Sequence, residues 1–340
     1  MIAAVYYGPG DVRVEETPTP RPGPGEVLIR TRAALTCGTD VKTWVRGHPL
    51  YRPPQLFGHE VAGEVVAAGE GVSAFAVGEM VVPHNSAPCG SCYYCKAGQP
   101  SMCDDPVYMI GAFAEYVLVP ARIVRQNMFP VPEKMDPRYA ALVEPLACAV
   151  YGAAETPIQL GDVVVVLGAG PIGLMLGALA ARRGAHVIQV DLSAERLETA
   201  KIMGAAETLN PQGEPDPVGA IRGLTPGGRG ADAVIEAVGL PEMWEQALRL
   251  VRKGGQVTLF GGCKPGTHIS VDTKMLHYSQ LTIRGLFHTT PLHVRVAFDL
   301  ITGGQIPVEP LVSATMPLSR VVDALEMHRT QQAIKVALVP

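Results

Sequence analysis

Through the first third of the chain, apolar and polar positions alternate in short runs bounded by glycine and proline: VLIRTRAAL at 27–35, HEVAGEVVAAG at 59–69, GEMVVPH at 78–84 and AEYVLVP at 114–120. A period of two sends successive side chains to opposite faces, so these runs predict strands of an antiparallel, β-rich domain. From about residue 150 the texture changes. Strand-like VVVVLGAG leads into helical LMLGALAARRG, then strand HVIQVD, helix AERLETAKIMG, strand ADAVIEAVG, helix PEMWEQALRLV and strand GQVTLFGG. Strands alternating with helices predict an α/β domain with a doubly wound parallel sheet. Two later runs, VRVAFDLITGG and IKVALVP, read as a helix and a strand that return to the first domain.

The bulk numbers narrow the class. A chain of 340 residues is long enough for two domains. With 47% apolar and 18% charged residues and a net charge of -4, it lacks the basic excess that a phosphate backbone demands, so nucleic acid is not an expected partner. The first residues, MIAAVYYGPGDVRVEE, have neither the cationic start nor the apolar run of a secretory signal, and a cytoplasmic protein is expected. Residues 163–181 carry no charge over a length that could span a bilayer. Their β-branched front half and their glycines and proline predict instead a buried strand turning into a buried helix, with no membrane partner.

That turn carries the first candidate chemistry. Gly168, Gly170, Pro171, Ile172 and Gly173 form the pattern GAGPIG between a strand and a helix, the setting of a dinucleotide fingerprint. The glycines allow a tight turn and close approach to a pyrophosphate that faces the helix N-terminus. Asp191 ends the next strand, where a carboxylate can accept the ribose hydroxyls and repel a 2'-phosphate, which favours NAD over NADP. Arg196 either approaches the same ribose or faces solvent.

Four of the seven cysteines crowd into one polar segment, Cys89-x2-Cys92-x2-Cys95-x7-Cys103. In a reducing compartment this spacing favours zinc over disulfides, and four thiolates close the coordination shell, so the site is structural. Cys37, His59 and Glu60 follow or begin predicted strands. They can supply a Cys/His/carboxylate set with an open fourth position. Cys148 and Cys263 read as small core residues.

Taken in order, CGTD at 37–40, GHE at 58–60, the four-cysteine loop, VEPLACAV at 143–150, GAGPIG at 168–173 and GADAVIEAVG at 230–239 make the chain resemble a zinc-dependent medium-chain alcohol dehydrogenase over essentially its whole length. The Glu-Pro-Leu context of Glu144 resembles the polyol and sorbitol dehydrogenase branch. The resemblance implies a β-rich GroES-like catalytic domain at 1–147 and 288–340 around a Rossmann domain at 148–287, with the active site in the cleft between them. It implies two zinc ions per chain, with Cys37, His59 and Glu60 as catalytic ligands and Glu144 as a further ligand, direct or through water. It implies NAD as cofactor, a small-molecule alcohol as substrate, and a homodimer or homotetramer joined along a sheet edge near residues 281–287.

Several residues carry over by position alone. Thr39 matches a hydroxyl that bridges substrate and ribose in a proton relay. Lys42 stands where relatives often place a histidine that completes the path, and is either a relay or a solvated residue. Lys335 matches a basic residue that touches the cofactor phosphates, or is an exposed strand lysine. An L-threonine 3-dehydrogenase, whose relatives share CGTD and GHE, is the alternative enzyme. A non-catalytic nucleotide-binding protein is the alternative of another class.

Overall fold

A computed structural model describes residues 1–340. They divide into two units, Met1–Ala147 with Thr289–Pro340, and Cys148–His288.

The five side chains of Val163–Leu167 are all buried, as expected for a strand covered on both faces. This strand lies inside a six-stranded parallel sheet whose order is Glu207–Leu209, His186–Val190, Val163–Leu167, Ala231–Glu236, Val251–Leu259 and Thr282–Gly285. Strand order reverses between Val163–Leu167 and Ala231–Glu236, which is where open α/β sheets bind ligands, beyond the carboxyl ends of the strands. The core of this unit includes Val165, Ile188, Val234 and Val257. Thr282–Gly285, inside the segment expected as an exposed edge, is the terminal strand on one side. The charge-free stretch is a strand followed by the helix Pro171–Arg182, and no helix is long and apolar enough to cross a membrane.

In the other unit Val27–Leu35 organises a seven-stranded sheet. It pairs antiparallel with Glu60–Ala68, Tyr116–Val119 and Lys335–Val339. Ile29, Val61, Val65, Val119 and Val336 are buried in its core. The predicted return of the chain is therefore a strand paired close to the first predicted strand's end. Several elements were not anticipated: the hairpin of Ile2–Gly8 with Asp11–Glu16, the strand Val312–Pro317 lying parallel to Lys335–Val339, and the helix Val321–Arg329. The motif around Glu144 is the first turn of a helix, Val143–Glu155.

Candidate active site and nucleotide site

The sequence CGTD builds a helix start. Cys37 is the N-cap of Gly38–Arg46: its Sγ accepts from the Thr39 N–H at 3.5 Å, and the Asp40 carboxylate accepts from the Cys37 N–H at 3.0 Å. This reciprocal capping fixes the Cys37 backbone and leaves the thiol at the helix start. The other oxygen of Asp40 lies 2.9 Å from His59 Nδ1, and the Tyr51 hydroxyl reaches it at 3.5 Å. A carboxylate on Nδ1 orients the ring and leaves Nε2 for a ligand, the usual support of a metal-bound histidine. Burial opposes a charged imidazole, but Asp40, Tyr51 and Cys37 outweigh it and hold the His59 pKa well above its ordinary value. Positive charge is thus favoured at this ring, and a metal ion supplies it as well as a proton does.

Cys37, His59 and Glu60 bring one donor atom each within 4.8 Å of one another. A soft thiolate, an oriented imidazole and a carboxylate are a donor set suited to zinc. Glu60 has a second claimant. Its two oxygens lie 2.7 and 2.5 Å from Lys335 Nζ, which also donates to the Thr36 carbonyl at 2.9 Å. Three acceptors account for all three ammonium hydrogens. Sequence reasoning placed Lys335 against the cofactor phosphates or on an exposed strand face; its side chain is instead 1% exposed and turned to Glu60. Burial works against that ammonium, but the Glu60 carboxylate overcomes the effect and raises the Lys335 pKa.

Glu144 is buried on the first turn of its helix, with a carboxylate oxygen within 4.8 Å of a His84 nitrogen. Burial, opposed by His59 and reinforced by Glu60, pushes its pKa up to about 7. Thr39 is half-buried; Lys42 is exposed one turn further along the same helix. Asp40, Tyr51 and His84 were missed by sequence reasoning. Only Asp40 left a signal, as the third helical residue after a cap.

The four-cysteine loop gathers its thiols in one place. All four Sγ atoms lie within 4.8 Å of one another, with Cys89 to Cys95 at 4.0 Å and Cys92 to Cys103 at 3.9 Å. Sulfurs at about 2.3 Å from a tetrahedral zinc stand about 3.8 Å apart, so the loop fits that ion. Backbone and hydroxyl donors from Ser91 and the Cys92 N–H lower the Cys89 pKa to about 6, whereas burial pushes Cys95 up to about 12 and raises Cys103, so the full set of thiolates calls for a cation among them. Cys148 and Cys263, expected in the core, are half-buried.

In the parallel-sheet unit, Gly168 has φ +98°, and a Cβ at Gly173 would stand 2.0 Å from the Gly168 carbonyl oxygen. Neither position admits a side chain. Gly170 caps Pro171–Arg182 without a side-chain acceptor, and a Cβ there would meet nothing within 4 Å. The helix start is thus left without a side-chain cap and with room beside Gly170, where a pyrophosphate could sit against the first turn. Ile172 lies in the first turn of this helix. Asp191 accepts from the Ala169 N–H at 2.6 Å and from the Ser193 N–H at 2.8 Å, tying the glycine turn to the next strand. Carboxylate lone pairs remain for two hydroxyls. Arg196 does not face solvent: it is 8% exposed, its Nε has no hydrogen-bond partner, and burial lowers its pKa against the pull of Asp191 and Glu195.

Comparison with known proteins defines the class first. Residues 23–133 match the alcohol dehydrogenase GroES-like domain, and residues 171–303 match the zinc-binding dehydrogenase family. L-threonine 3-dehydrogenase of Pyrococcus horikoshii is 36% identical over 100% of this chain and 98% of its own length. Sorbitol dehydrogenase of Halalkalibacterium halodurans is 34% identical over 100% and 98%. A solved zinc-binding dehydrogenase of Sinorhizobium meliloti bound to NADP is 32% identical, with TM-score 0.91 over 100% of this chain and 99% of that one. The chain belongs to the zinc-dependent medium-chain alcohol dehydrogenase family. It is an oxidoreductase acting on CH–OH groups, with zinc and a nicotinamide nucleotide as cofactors.

Proposed function

We propose that this enzyme oxidises a secondary alcohol of the polyol, sugar-alcohol or diol type with NAD. The observation that carries the reading is the convergence of Cys37, His59 and Glu60 within 4.8 Å, with the buried Glu144 carboxyl of the Glu-Pro-Leu turn, which gathers with His84 and Cys148, near enough to feel the charges of His59 and Glu60. These four residues would hold the catalytic zinc, and Cys89, Cys92, Cys95 and Cys103 a structural one. The catalytic ion, when bound, supplies Lewis acidity toward the alcohol oxygen. The protein's own residues do the rest. Asp40 and Tyr51 keep the His59 ring aimed, and Lys335 neutralises the Glu60 carboxylate. Gly168 to Gly173 and Asp191 seat the nucleotide, with Arg196 beside the ribose. L-threonine is the second reading, supported by the 36% identity to threonine dehydrogenases. Initial rates with sorbitol, 2,3-butanediol and L-threonine, read by absorbance of NADH, separate the two. Turnover of L-threonine alone overturns the polyol reading. Pairing of two copies along Thr282–Gly285 is the proposed route to a homodimer or homotetramer.

The alcohol proton needs a path to water. Thr39 and Lys42 stand three apart on one helix and are therefore surface neighbours, which places a hydroxyl and an exposed amine in sequence. Thr39→Val is expected to cost about 2 kcal/mol in kcat/KM, the scale of one acid-base step, with zinc content unchanged. Lys42→Ala should shift the pH profile of kcat. A fully active Thr39→Val enzyme eliminates the relay, and an unmoved profile removes Lys42 from it.

Asp191 governs nucleotide choice in this reading. Asp191→Ala removes the charge that repels a 2'-phosphate, so the ratio of kcat/KM for NAD over NADP should fall at least about tenfold, or about 1.4 kcal/mol. Equal use of both nucleotides by the unaltered enzyme contradicts the assignment.

A further inference from the structure

The parallel sheet has a second cleft, at the end opposite its glycine turn. It has a volume of about 450 Å³ and lies where Val251–Leu259 begins and where the helices Pro217–Gly223 and Pro241–Leu250 finish. Five cations line it, Arg222, Arg229, Arg249, Arg252 and Lys253, in a chain whose net charge is -4. Helix C-termini attract cations, and Arg222 meets that need: it donates to the carbonyls of Gly228, Arg229 and Arg249 at 3.2, 2.8 and 3.0 Å. Asp232 answers two more, at 2.5 Å from Arg252 and 3.5 Å from Arg229. Arg249 and Lys253 are exposed and have no ion-pair partner within 4.0 Å. Positive charge therefore exceeds what the fold itself uses. The rest of the lining is of another character: Leu248 and Val251 are buried and Met275 and Leu281 half-buried, with Ser279 the one polar residue among them, and these make a mostly apolar floor.

From this pairing of a surplus-cationic rim with an apolar floor, we propose that the cleft is a second ligand site, separate from the nucleotide cradle, for a phosphate monoester with an apolar body. A dianion matches the two unpaired cations, and guanidinium groups bind phosphate through paired N–H donors. The apolar part of the ligand covers the leucine and methionine floor. The volume is that of ordinary small-molecule sites.

The test uses intact enzyme saturated with NAD, so that the glycine turn is filled, and 1-naphthyl phosphate as a fluorescent probe. One probe should bind per chain, at least about tenfold more tightly than neutral 1-naphthol. The charge-reversed Arg249→Glu/Lys253→Glu protein should bind it at least about tenfold more weakly while keeping NAD affinity and Tm. If that variant does not fold, Arg249→Gln/Lys253→Gln should show the same loss at smaller size. Binding that NAD abolishes, or that survives both variants unchanged, overturns the proposal.

Discussion

In the zinc-free protein, Lys335→Met is expected to destabilise the catalytic unit by about 3–5 kcal/mol, because it removes the ammonium and leaves the Glu60 carboxylate buried without a counter-charge. For a unit of this size the loss corresponds to a fall in Tm of roughly 10 °C. The penalty arises from the stranded charge, not from a large intrinsic worth of the pair. Desolvation of two ions consumes most of their attraction in an apolar interior. A double variant, Glu60→Gln/Lys335→Met, should therefore recover a good part of the stability lost in the single one. Urea unfolding of the three proteins measures this directly. A single variant that loses under about 1 kcal/mol would show that Glu60 is held by something other than Lys335.

Cys95→Ser should reduce zinc from two ions per chain to one. A tetrahedral thiolate site has no spare ligand, and hydroxyl is a poor substitute for a soft donor. Metal binding in such a loop supplies its folding energy, so the segment from Cys89 to Cys103 should lose its fixed shape and become sensitive to proteolysis. The catalytic set draws on other residues, and activity per remaining zinc should change far less than thermal resistance. Metal analysis alongside limited proteolysis checks both parts. One zinc per chain in fully active unaltered enzyme would refute the two-site reading.

The features legible in the sequence are those set by local chemistry. A run of valines meeting GAGPIG announces a buried strand, a turn without side chains and a helix start, and each of these is dictated within about twenty residues. The cysteine loop is legible for the same reason. Lys335 was not, since IKVALVP gives no sign that its lysine meets a carboxylate 275 residues earlier. For Arg196 the sequence leaves two places open, beside the ribose or in solvent, and its burial, which excludes the second, depends on neighbours beyond its own turn. Asp40 stands in CGTD with nothing in the local sequence to show a role beyond the helix start. Its two jobs, capping Cys37 and orienting His59, require the fold that brings positions 40 and 59 together. The parallel pairing of Val312–Pro317 with Lys335–Val339 was invisible because strand partners leave no mark on one another's composition.

The pairing of Lys335–Val339 with Val27–Leu35 orders events on the ribosome. Residues 148–288 form a unit from one continuous stretch and can close as soon as they emerge, in keeping with the tendency of domains to fold as they are synthesised. The other unit has to wait. Until residue 335 is translated, Glu60 lacks its lysine, and Ala34 and Leu35 lack their partners Leu338 and Ala337, although Tyr116–Val119 already covers the other end of that flank; the nascent catalytic unit therefore presents an unpaired strand end through the whole synthesis of its neighbour. Chaperone dependence should therefore fall on residues 1–147.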